Sequence, residues 1–487
     1  MSVEAQSLAI TKDTLWYLLA KIIPAVATAY GIYLISQGIG TEGYGSYSTM
    51  IVVNLFLAQL FGGWLYQAAI VVGLRFKKFN PSFRSSLDLL LLLSICLAVI
   101  SSLVIFYCLD YNLSYMLCGA ALLASQMMIF FYQAQLQAYR LVSHFVWLVF
   151  LQFGIQTFML VAFSLLEIMS FQLVIFSVSV AALLSALCYL LFSKKHLSRS
   201  TEKLRLKSIL RFTKLSWVYC FPVGIWLVFY NLYSFSDRVF MRHIGMDHEL
   251  GMYSSSRDLL LGAVSIVSMP MLMALQPFLV STLKKTKNLH AAGELVAEKM
   301  NFLLFFGIIL TGALLVNVEL LGKIINEDAR ELGAWLIFSS LAVFLGAASV
   351  YAHKGMELSG RSWVMSLVGG VVVIVVLCMN AFAALENSLM FFSLANFSGQ
   401  LIYFLVLLYL SKDVMRIRLD LMFLLQATFV AVIMVLAGEG FKVVGEEQQN
   451  FVILSKFLVC VLVILGSFFL IKKIRLVLFS LLRYLVR

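Results

Sequence analysis

The sequence predicts an all-α polytopic membrane protein with about 14 transmembrane helices. Hydrophobic residues make up 62% of its 487 residues and charged residues only 12%, whereas soluble domains are roughly 25% charged. Residues 43–74 and 141–166 contain no Asp, Glu, Lys or Arg. Both stretches exceed the roughly 20 apolar residues with which a helix spans a bilayer. A soluble globular fold is therefore excluded.

Charged and polar clusters separate the candidate helices. These cover approximately 14–38, 47–73, 88–109, 115–136, 144–166, 171–193, 215–236, 252–280, 300–320, 333–353, 363–385, 388–410, 420–438 and 450–471. Their number is even, so both termini lie on the same side of the membrane.

The distribution of basic residues predicts which side that is. If the N-terminus is cytoplasmic, most of the 36 Lys and Arg residues lie in inner segments. The outer segments then hold only Arg238, Arg242, Lys323, Arg330 and Lys442. This bias follows the positive-inside rule and predicts that both termini are cytoplasmic. The net charge of +12 then lies on the inner surface, where it predicts anionic membrane lipids as partners rather than nucleic acid.

The sequence also argues against an enzyme. The longest strongly polar stretch, 194–214, is too short for a soluble catalytic domain, and the sequence has no GxxxxGK[ST] phosphate loop. The seven cysteines are scattered without a CxxC pair, and His243 and His248 are spaced wrongly for one helical face. We therefore expect no catalytic residues, no metal site and no cofactor.

A short repeat indicates two related halves. Gly45–Ser48 and Gly251–Ser254 both read Gly-x-Tyr-Ser, and each motif follows the first helix of a set of six. Six helices repeated without inversion form a parallel repeat, and such transporters bind substrate between their halves. The alternative is that the motif is only an interfacial turn, since Gly permits tight geometry and Tyr favours the headgroup region.

The repeat predicts four parts of the chain. They are a six-helix lobe at 1–193, a basic cytoplasmic linker at 194–214, a second six-helix lobe at 215–410, and an extra two-helix hairpin with a basic tail at 411–487.

Several short motifs resemble a known family. They are Asp237-Arg238 at the end of the seventh helix, Gly251-Met252-Tyr253, the Glu42–Gly45 turn and the inner loop Gln135–Arg140. Together they resemble the polysaccharide-transporter branch of the multidrug/oligosaccharidyl-lipid/polysaccharide (MOP) exporter superfamily, most closely the Wzx-type O-antigen and capsule-unit flippases.

This resemblance implies both a fold and a function. The fold would be two six-helix lobes in a V around a central cavity. The function would be to move an undecaprenyl-diphosphate-linked oligosaccharide from the inner to the outer leaflet of the bacterial cytoplasmic membrane. The implied partners are this lipid-linked substrate and other polysaccharide-assembly proteins.

Two basic residues within predicted helices are candidate substrate-binding cations. A charged side chain near the bilayer centre costs about 2.5–3.5 kcal/mol on insertion scales, so it is a functional candidate. Lys21 would attract a phosphate from the cavity or, alternatively, extend its charge to the inner headgroups. Arg257 would receive the substrate near the outer exit or, alternatively, join Asp237, Arg238 and Asp258 in a salt-bridge cluster at the rim.

Other candidates lie at inner loop ends and within helices. Arg140, Lys354 and Arg361 would guide a diphosphate headgroup into the cavity, or would simply form a solvated basic surface. Five aromatic residues in helices expected to border the cavity are candidates for stacking on sugars: Tyr30, Trp64, Tyr66, Trp226 and Tyr230.

Two other functions remain alternatives. A cation-coupled multidrug antiporter on the same fold would need acidic cavity groups, and the predicted helices contain almost none in their middle thirds. A membrane glycan polymerase or ligase would need a large outer loop, whereas the predicted outer loops are short.

Overall fold

The computed structural model describes residues 3–71, 83–139, 141–193, 206–217, 220–286, 289–327 and 332–439, together with 452, 455, 456 and 458–463. The helices in these ranges are α1 (Val3–Val71), α2 (Phe83–Cys108), α3 (Leu113–Ala138), α4 (Val142–Leu165), α5 (Phe171–Ser193), α6 (Leu206–Trp217), α7 (Cys220–His243), α8 (Asp247–Thr286), α9 (Leu289–Val316), α10 (Val318–Ile325), α11 (Trp335–Ala352), α12 (Lys354–Leu358), α13 (Ser362–Leu385), α14 (Leu389–Ser411) and α15 (Leu421–Glu439).

The helices are those of a polytopic membrane protein. Ten of them, within the described ranges, are long and apolar enough to cross a membrane. The first contains both predicted spans 14–38 and 47–73, because helix α1 continues through the turn between them. Its backbone leaves helical geometry at Gly40, where φ is 73° and ψ is 171°. Glycine adopts such a positive φ without steric strain.

Two predicted boundaries differ from the structure. A separate short helix, α6, begins within the predicted linker 194–214 and extends past it to Trp217, and α7, the seventh span, begins at Cys220 rather than near residue 215. The predicted helix 300–320 is divided between α9 and α10, because the chain turns at Asn317. The last predicted helix, 450–471, lies only partly within the described residues.

The two halves of the chain pack their helices in the same pairs. In the first half, α3 packs on α5, α2 on α3, and α4 on α5. In the second half, α11 packs on α14, α9 on α11, and α13 on α14. Helix α15 adds to the second half by packing along α9.

The halves meet along α1, which packs against both α7 and α8. We call the end of this contact that carries Gly40 and Gly245 the outer end, after the sidedness that the basic residues predict. Its apolar core combines residues of both halves, including Ile35 and Tyr44 with Leu250 and Trp335.

Candidate functional site

Two glycines bring the halves into direct backbone contact at the outer end. A Cβ atom on Gly251 of α8 would lie 2.0 Å from the carbonyl oxygen of Thr41, and one on Gly45 would lie 3.0 Å from the carbonyl oxygen of Asp247. A Cβ atom essentially never lies within 3.0 Å of a heavy atom outside its own residue and its chain neighbours. A larger residue at position 251 would therefore push the halves apart. Gly45 and Gly251 begin the two Gly-x-Tyr-Ser motifs, which therefore lie against each other.

Helices α1 and α8 are farther apart toward the inner end. A Cβ atom on Gly262 of α8 would have Ala25 as its nearest neighbour, at 3.8 Å, which is an ordinary van der Waals distance. The contact between these two helices is thus tightest at the outer end.

Four charged side chains form two ion pairs between α7 and α8, and we call them the outer ion-pair cluster. Arg238 Nη2 lies 2.6 Å from Asp258 Oδ1, and Arg257 Nη1 lies 2.8 Å from Asp237 Oδ2. Asp237, Arg238 and Arg257 are at most 2% exposed. Charges with so little access to water need partners, and each pair provides one.

The outer ion-pair cluster also contacts the first half. The Tyr44 hydroxyl donates a hydrogen bond of 2.9 Å to Asp258, and the Arg238 guanidinium donates one to the Ser48 hydroxyl. In each of these hydrogen bonds, one partner belongs to the first half of the chain and the other to the second half. The cluster therefore holds the outer end closed as well as joining α7 to α8.

Two more side-chain contacts close the outer end. Thr41 donates a hydrogen bond to Glu327, which follows α10. The Arg242 guanidinium of α7 lies over the ring of Tyr111 in the first half at 5.6 Å, and the Tyr111 hydroxyl donates a hydrogen bond of 3.1 Å to the carbonyl oxygen of Ser46 within the first half. Burial raises the pKa of Tyr111 to about 12, so the hydroxyl keeps the proton that it donates.

Arg257, one of the two candidate cavity cations, is held inside the second half. Besides Asp237, its guanidinium donates hydrogen bonds to Asn396 Oδ1 at 3.1 Å and to the carbonyl oxygen of Ser234. Of the two interpretations that the sequence allows, this geometry fits the salt-bridge cluster. In this conformation the charge of Arg257 is compensated and is not presented to a ligand.

Lys21, the other candidate cation, lies one helical turn from a contact between α1 and α8. It precedes Ala25 by one helical turn, so both residues share a face of α1, and Ala25 faces Gly262 of α8. Lys21 is half-buried and forms no ion pair with any described carboxylate. By contrast Arg238, Arg257, Lys354 and Lys456 are each paired with one.

The three candidate residues at the inner loop ends have different surroundings. Lys354 is buried and its Nζ lies 2.5 Å from Oε2 of Glu357, so its charge is compensated within α12. Arg361 is exposed at the start of α13. Arg140 lies outside the described residues.

The five candidate stacking residues do not share one surface. Tyr30 is 44% exposed. Trp64 is half-buried, and its backbone lies against Gly224 of α7. Tyr66 and Trp226 are less than 9% exposed, so neither ring offers a face to a ligand in this conformation.

Tyr230 lies beside Trp226, with ring centroids 5.7 Å apart, and both belong to the interior of the second half. This interior contains polar groups that the sequence analysis did not identify, namely His353, which directly follows α11, and a row of polar residues on α14. The spacing of that row, Ser393, Asn396, Gln400 and Tyr403, was the available signal, because it places all four on one helical face.

The structure also contains an apolar cavity of about 500 Å³ in the second half. It lies between α9, α11 and α15, and its lining includes Ile308, Leu341, Ala431 and Val435. The lining carries no charged residue, so this cavity differs from the positively lined vestibule that the sequence predicts.

Comparisons with known proteins identify solved structures that have the same fold. No protein-family model and no curated protein matches the sequence. Among solved structures, the lipid II flippase MurJ in an inward closed conformation is similar with a TM-score of 0.68 and 15% identity, over 94% of this chain and 98% of that one. The MATE multidrug transporter DinF-BH is similar with a TM-score of 0.57 and 15% identity, over 85% of this chain and 98% of that one.

A third solved structure is an inward-facing multidrug resistance transporter of the MATE family in the MOP superfamily. Its TM-score is 0.54 at 12% identity, over 82% of this chain and 94% of that one. Identities this low show the fold alone. The chain therefore has the same fold as these three solved structures and is a multi-pass helical membrane protein.

Proposed function

We propose that this protein is a flippase that moves undecaprenyl-diphosphate-linked oligosaccharide repeat units from the inner to the outer leaflet of the bacterial cytoplasmic membrane. It acts by alternating access and makes or breaks no covalent bond. Its fold is shared over 94% of the chain with a protein described as a lipid II flippase, and its short motifs resemble Wzx-type flippases. The observation that carries the proposal is Lys21, which lies one helical turn from the contact between α1 and α8 and has no ion-pair partner among the described carboxylates.

The substrate headgroup defines what the protein must provide. A diphosphate and several sugar hydroxyls each cost kilocalories when they enter hydrocarbon without partners. A cleft between the halves would keep this headgroup in water, while the polyprenyl chain stays in the lipid beside the helices. A cation in the cleft then lowers the barrier further, because it attracts the diphosphate.

Lys21 meets the requirements for that cation. Its four buried counterparts, Arg238, Arg257, Lys354 and Lys456, already have carboxylate partners, which reduces their attraction for an anion. Lys21 has no partner among the described carboxylates and shares a helical face with Ala25, which meets Gly262 of α8. A diphosphate bound there would supply the missing negative charge.

The closed outer end supports alternating access. Gly251, Tyr44 and the outer ion-pair cluster hold the halves together at that end, while the contact of α1 with α8 is looser at Ala25 and Gly262, one helical turn from Lys21. Opening the outer end and closing the inner end would transfer the headgroup. The membrane potential can give this movement a direction, since an anion leaving a negative interior gains about 2.3 kcal/mol per charge per 100 mV.

The proposal also covers the orientation of the protein in the membrane, its lipid contacts and its partner proteins. Both termini are cytoplasmic, and the basic inner surface contacts anionic lipids. Other polysaccharide-assembly proteins supply the substrate and use the product.

The second candidate function is a cation-coupled multidrug antiporter, because MATE transporters share the fold. Such a protein needs an acidic group that is free to bind a cation. The carboxylates between α7 and α8, buried Asp237 and half-buried Asp258, are instead occupied by Arg257 and Arg238. This pairing favours the flippase.

We expect Lys21→Gln to reduce the rate of flipping about tenfold or more. A charge-assisted hydrogen bond contributes about 1.5–3 kcal/mol, and 1.4 kcal/mol corresponds to tenfold in rate. The rate is measured in vesicles as the appearance of lipid-linked oligosaccharide in the opposite leaflet. Lys21→Arg keeps the charge and should keep most of the rate.

Lys412→Gln is the matched control, because Lys412 is exposed at the inner end of α14 and should not affect the rate. A Lys21→Gln protein that flips as fast as wild type would remove Lys21 from the substrate path. It would leave the proposed function without its main support.

A further inference from the structure

Helix α6 lies at the inner end, where the chain passes from the first half to the second. It has 12 residues, about 18 Å at 1.5 Å per residue, which is too short to span a bilayer. It packs against α2 of the first half and against α7 of the second. Phe212 anchors it, because this buried side chain belongs to the same apolar cluster as Leu87 and Leu91 of α2.

The opposite face of α6 points away from the protein. Leu210, Lys214 and Trp217 recur there at helical spacing, and all three are exposed. In the sequence, Lys207 and Arg211 precede Lys214 at the same helical spacing, so basic positions border the exposed Leu and Trp. A short helix with a basic side and an apolar side that carries Trp and Leu is typical of helices that lie in the membrane interface.

Three aromatic rings form a row from α6 to α13. The ring of Trp217 stacks on that of Phe221 at the start of α7, with centroids 4.1 Å apart and planes 14° apart. The Phe221 centroid lies 6.2 Å from that of Trp363 on α13. The inner ends of α7 and α13 are joined beside this row, where the Ser366 hydroxyl donates a hydrogen bond of 2.6 Å to the carbonyl oxygen of Pro222.

Both terminal rings of the row are open to the surroundings, and each has a basic residue close in the chain. Trp217 is 53% exposed and Trp363 is 44% exposed. Lys214 precedes Trp217 by three residues, Arg361 precedes Trp363 by two, and both basic side chains are exposed. Within the described ranges, neither forms an ion pair with a carboxylate. We call the three rings and these two basic residues the inner aromatic patch.

The chemistry of the inner aromatic patch fits one class of ligand. Tryptophan is enriched at the level of the lipid headgroups, and basic residues without partners attract the anionic lipids of the inner leaflet. A phospholipid offers a phosphate to the cations and glycerol and acyl carbons to the rings. The patch differs in this from Lys412, whose Nζ lies 4.9 Å from the ring centroid of Tyr409 but which is followed directly by exposed Asp413.

We propose that the inner aromatic patch is a binding site for an anionic phospholipid of the inner leaflet. The phosphate of the lipid contacts Lys214 and Arg361, while its glycerol and upper acyl carbons lie on the rings of Trp217 and Trp363. This lipid is distinct from the transported one, because the patch lies on α6, α7 and α13, whereas Lys21 lies on α1. The inference goes beyond the proposed function and does not depend on which molecule is transported.

Binding can be measured by tryptophan fluorescence in purified full-length protein. The protein is placed in phosphatidylcholine vesicles, and a small fraction of the lipid is replaced by phosphatidylglycerol with brominated acyl chains, which quench nearby tryptophans. We expect more quenching than from the same fraction of brominated phosphatidylcholine, because the patch concentrates the anionic lipid beside Trp217 and Trp363. Trp217→Phe/Trp363→Phe should remove this excess quenching.

The basic residues determine how much phosphatidylglycerol the patch needs. We expect Lys214→Gln to raise the fraction that gives half of the excess quenching about fivefold, since a basic residue at the membrane surface contributes about that factor. Lys214→Gln/Arg361→Gln should raise it about 25-fold by the same reasoning. Lys412→Gln is the matched control for charge and Trp147→Phe the matched control for an exposed tryptophan, which here lies on α4; both should behave as wild type.

Equal quenching of wild type by the two brominated lipids would overturn the proposal, and this result does not depend on the folding of any variant. Excess quenching that Lys214→Gln/Arg361→Gln retains in full would also overturn it, because diffuse attraction to other basic residues would then be the cause. Displacement of brominated phosphatidylglycerol by an equal amount of undecaprenyl-diphosphate-linked oligosaccharide would overturn it too, since the patch would then bind the transported lipid. The assay includes no transport step, so the proposed function can fail while this site is confirmed.

Discussion

Gly251→Ala is expected to stop transport almost completely. The added Cβ atom would lie 2.0 Å from the backbone oxygen of Thr41, and backbone cannot move aside as a flexible side chain does. The halves would be forced apart at the outer end, so the closed conformation would be lost from the cycle. We expect the flipping rate to fall by about a hundredfold, because a closed conformation destabilised by about 3 kcal/mol lowers the rate by that factor.

Gly154→Ala provides the matched control for this substitution. Gly154 lies within α4, and a Cβ atom there would have no neighbour within 4 Å. Because Ala favours helix over Gly by up to about 1 kcal/mol, this variant should fold and flip as wild type does.

The outer end should also become accessible in Gly251→Ala. With Ser46→Cys added to each protein, the new thiol should react with a membrane-impermeant reagent faster in the Gly251→Ala background than in the wild-type background. Equal reaction rates, together with normal flipping, would mean that the close contact at Gly251 is not needed for closure.

Removing one partner of a buried ion pair should have the largest effect on stability. Asp237→Ala would leave Arg257 charged, 2% exposed and without its carboxylate. Breaking a buried pair in this way costs about 3–5 kcal/mol. We expect a comparable fall in the free energy of unfolding, measured by thermal unfolding of the purified protein in detergent.

The double variant Asp237→Leu/Arg257→Met tests the physical reason. Replacing both charges with apolar side chains of similar size is often neutral, because no buried charge remains unpaired. The double variant should therefore be more stable than Asp237→Ala alone. If it is equally unstable, the loss comes from disturbed packing or from the hydrogen bonds of Asn396 and Tyr253 to Asp237, and the ion-pair account is wrong.

The helices were predictable because their sequence signal is local. The predicted span 171–193 coincides with α5, and 363–385 differs from α13 by one residue. Each is a long uncharged stretch between polar turns, and hydropathy over about 20 residues is sufficient to locate it. The break in α1 was less predictable, since Gly40 interrupts the helix without ending it.

The contacts between distant helices were not predictable in the same way. The sequence identifies Gly45 and Gly251 as equivalent positions of a repeat, but it does not show that they lie against each other. The partners of Arg257 come from α7 and α14, and only the folded chain brings them together. Both interpretations of Arg257 were therefore open until the structure placed it beside Asp237.

The pairing of Lys354 and the polar row on α14 were visible in the sequence. Glu357 follows Lys354 by three residues, a spacing that brings side chains together on a helix. Similarly, Asn396, Gln400 and Tyr403 recur at helical spacing within an apolar span. Charged residues within spans do not reveal this row, because all of its members are neutral.

The most direct test of the central claim is a flipping assay with the purified wild-type protein. Vesicles are prepared with undecaprenyl-diphosphate-linked oligosaccharide in one leaflet, and a sugar-specific reagent outside measures its arrival in the other. We expect the protein to raise the rate well above that of protein-free vesicles under an inside-negative potential, while a cationic dye stays where it was. Transport of the dye with no movement of the oligosaccharide would contradict the account and support the multidrug antiporter.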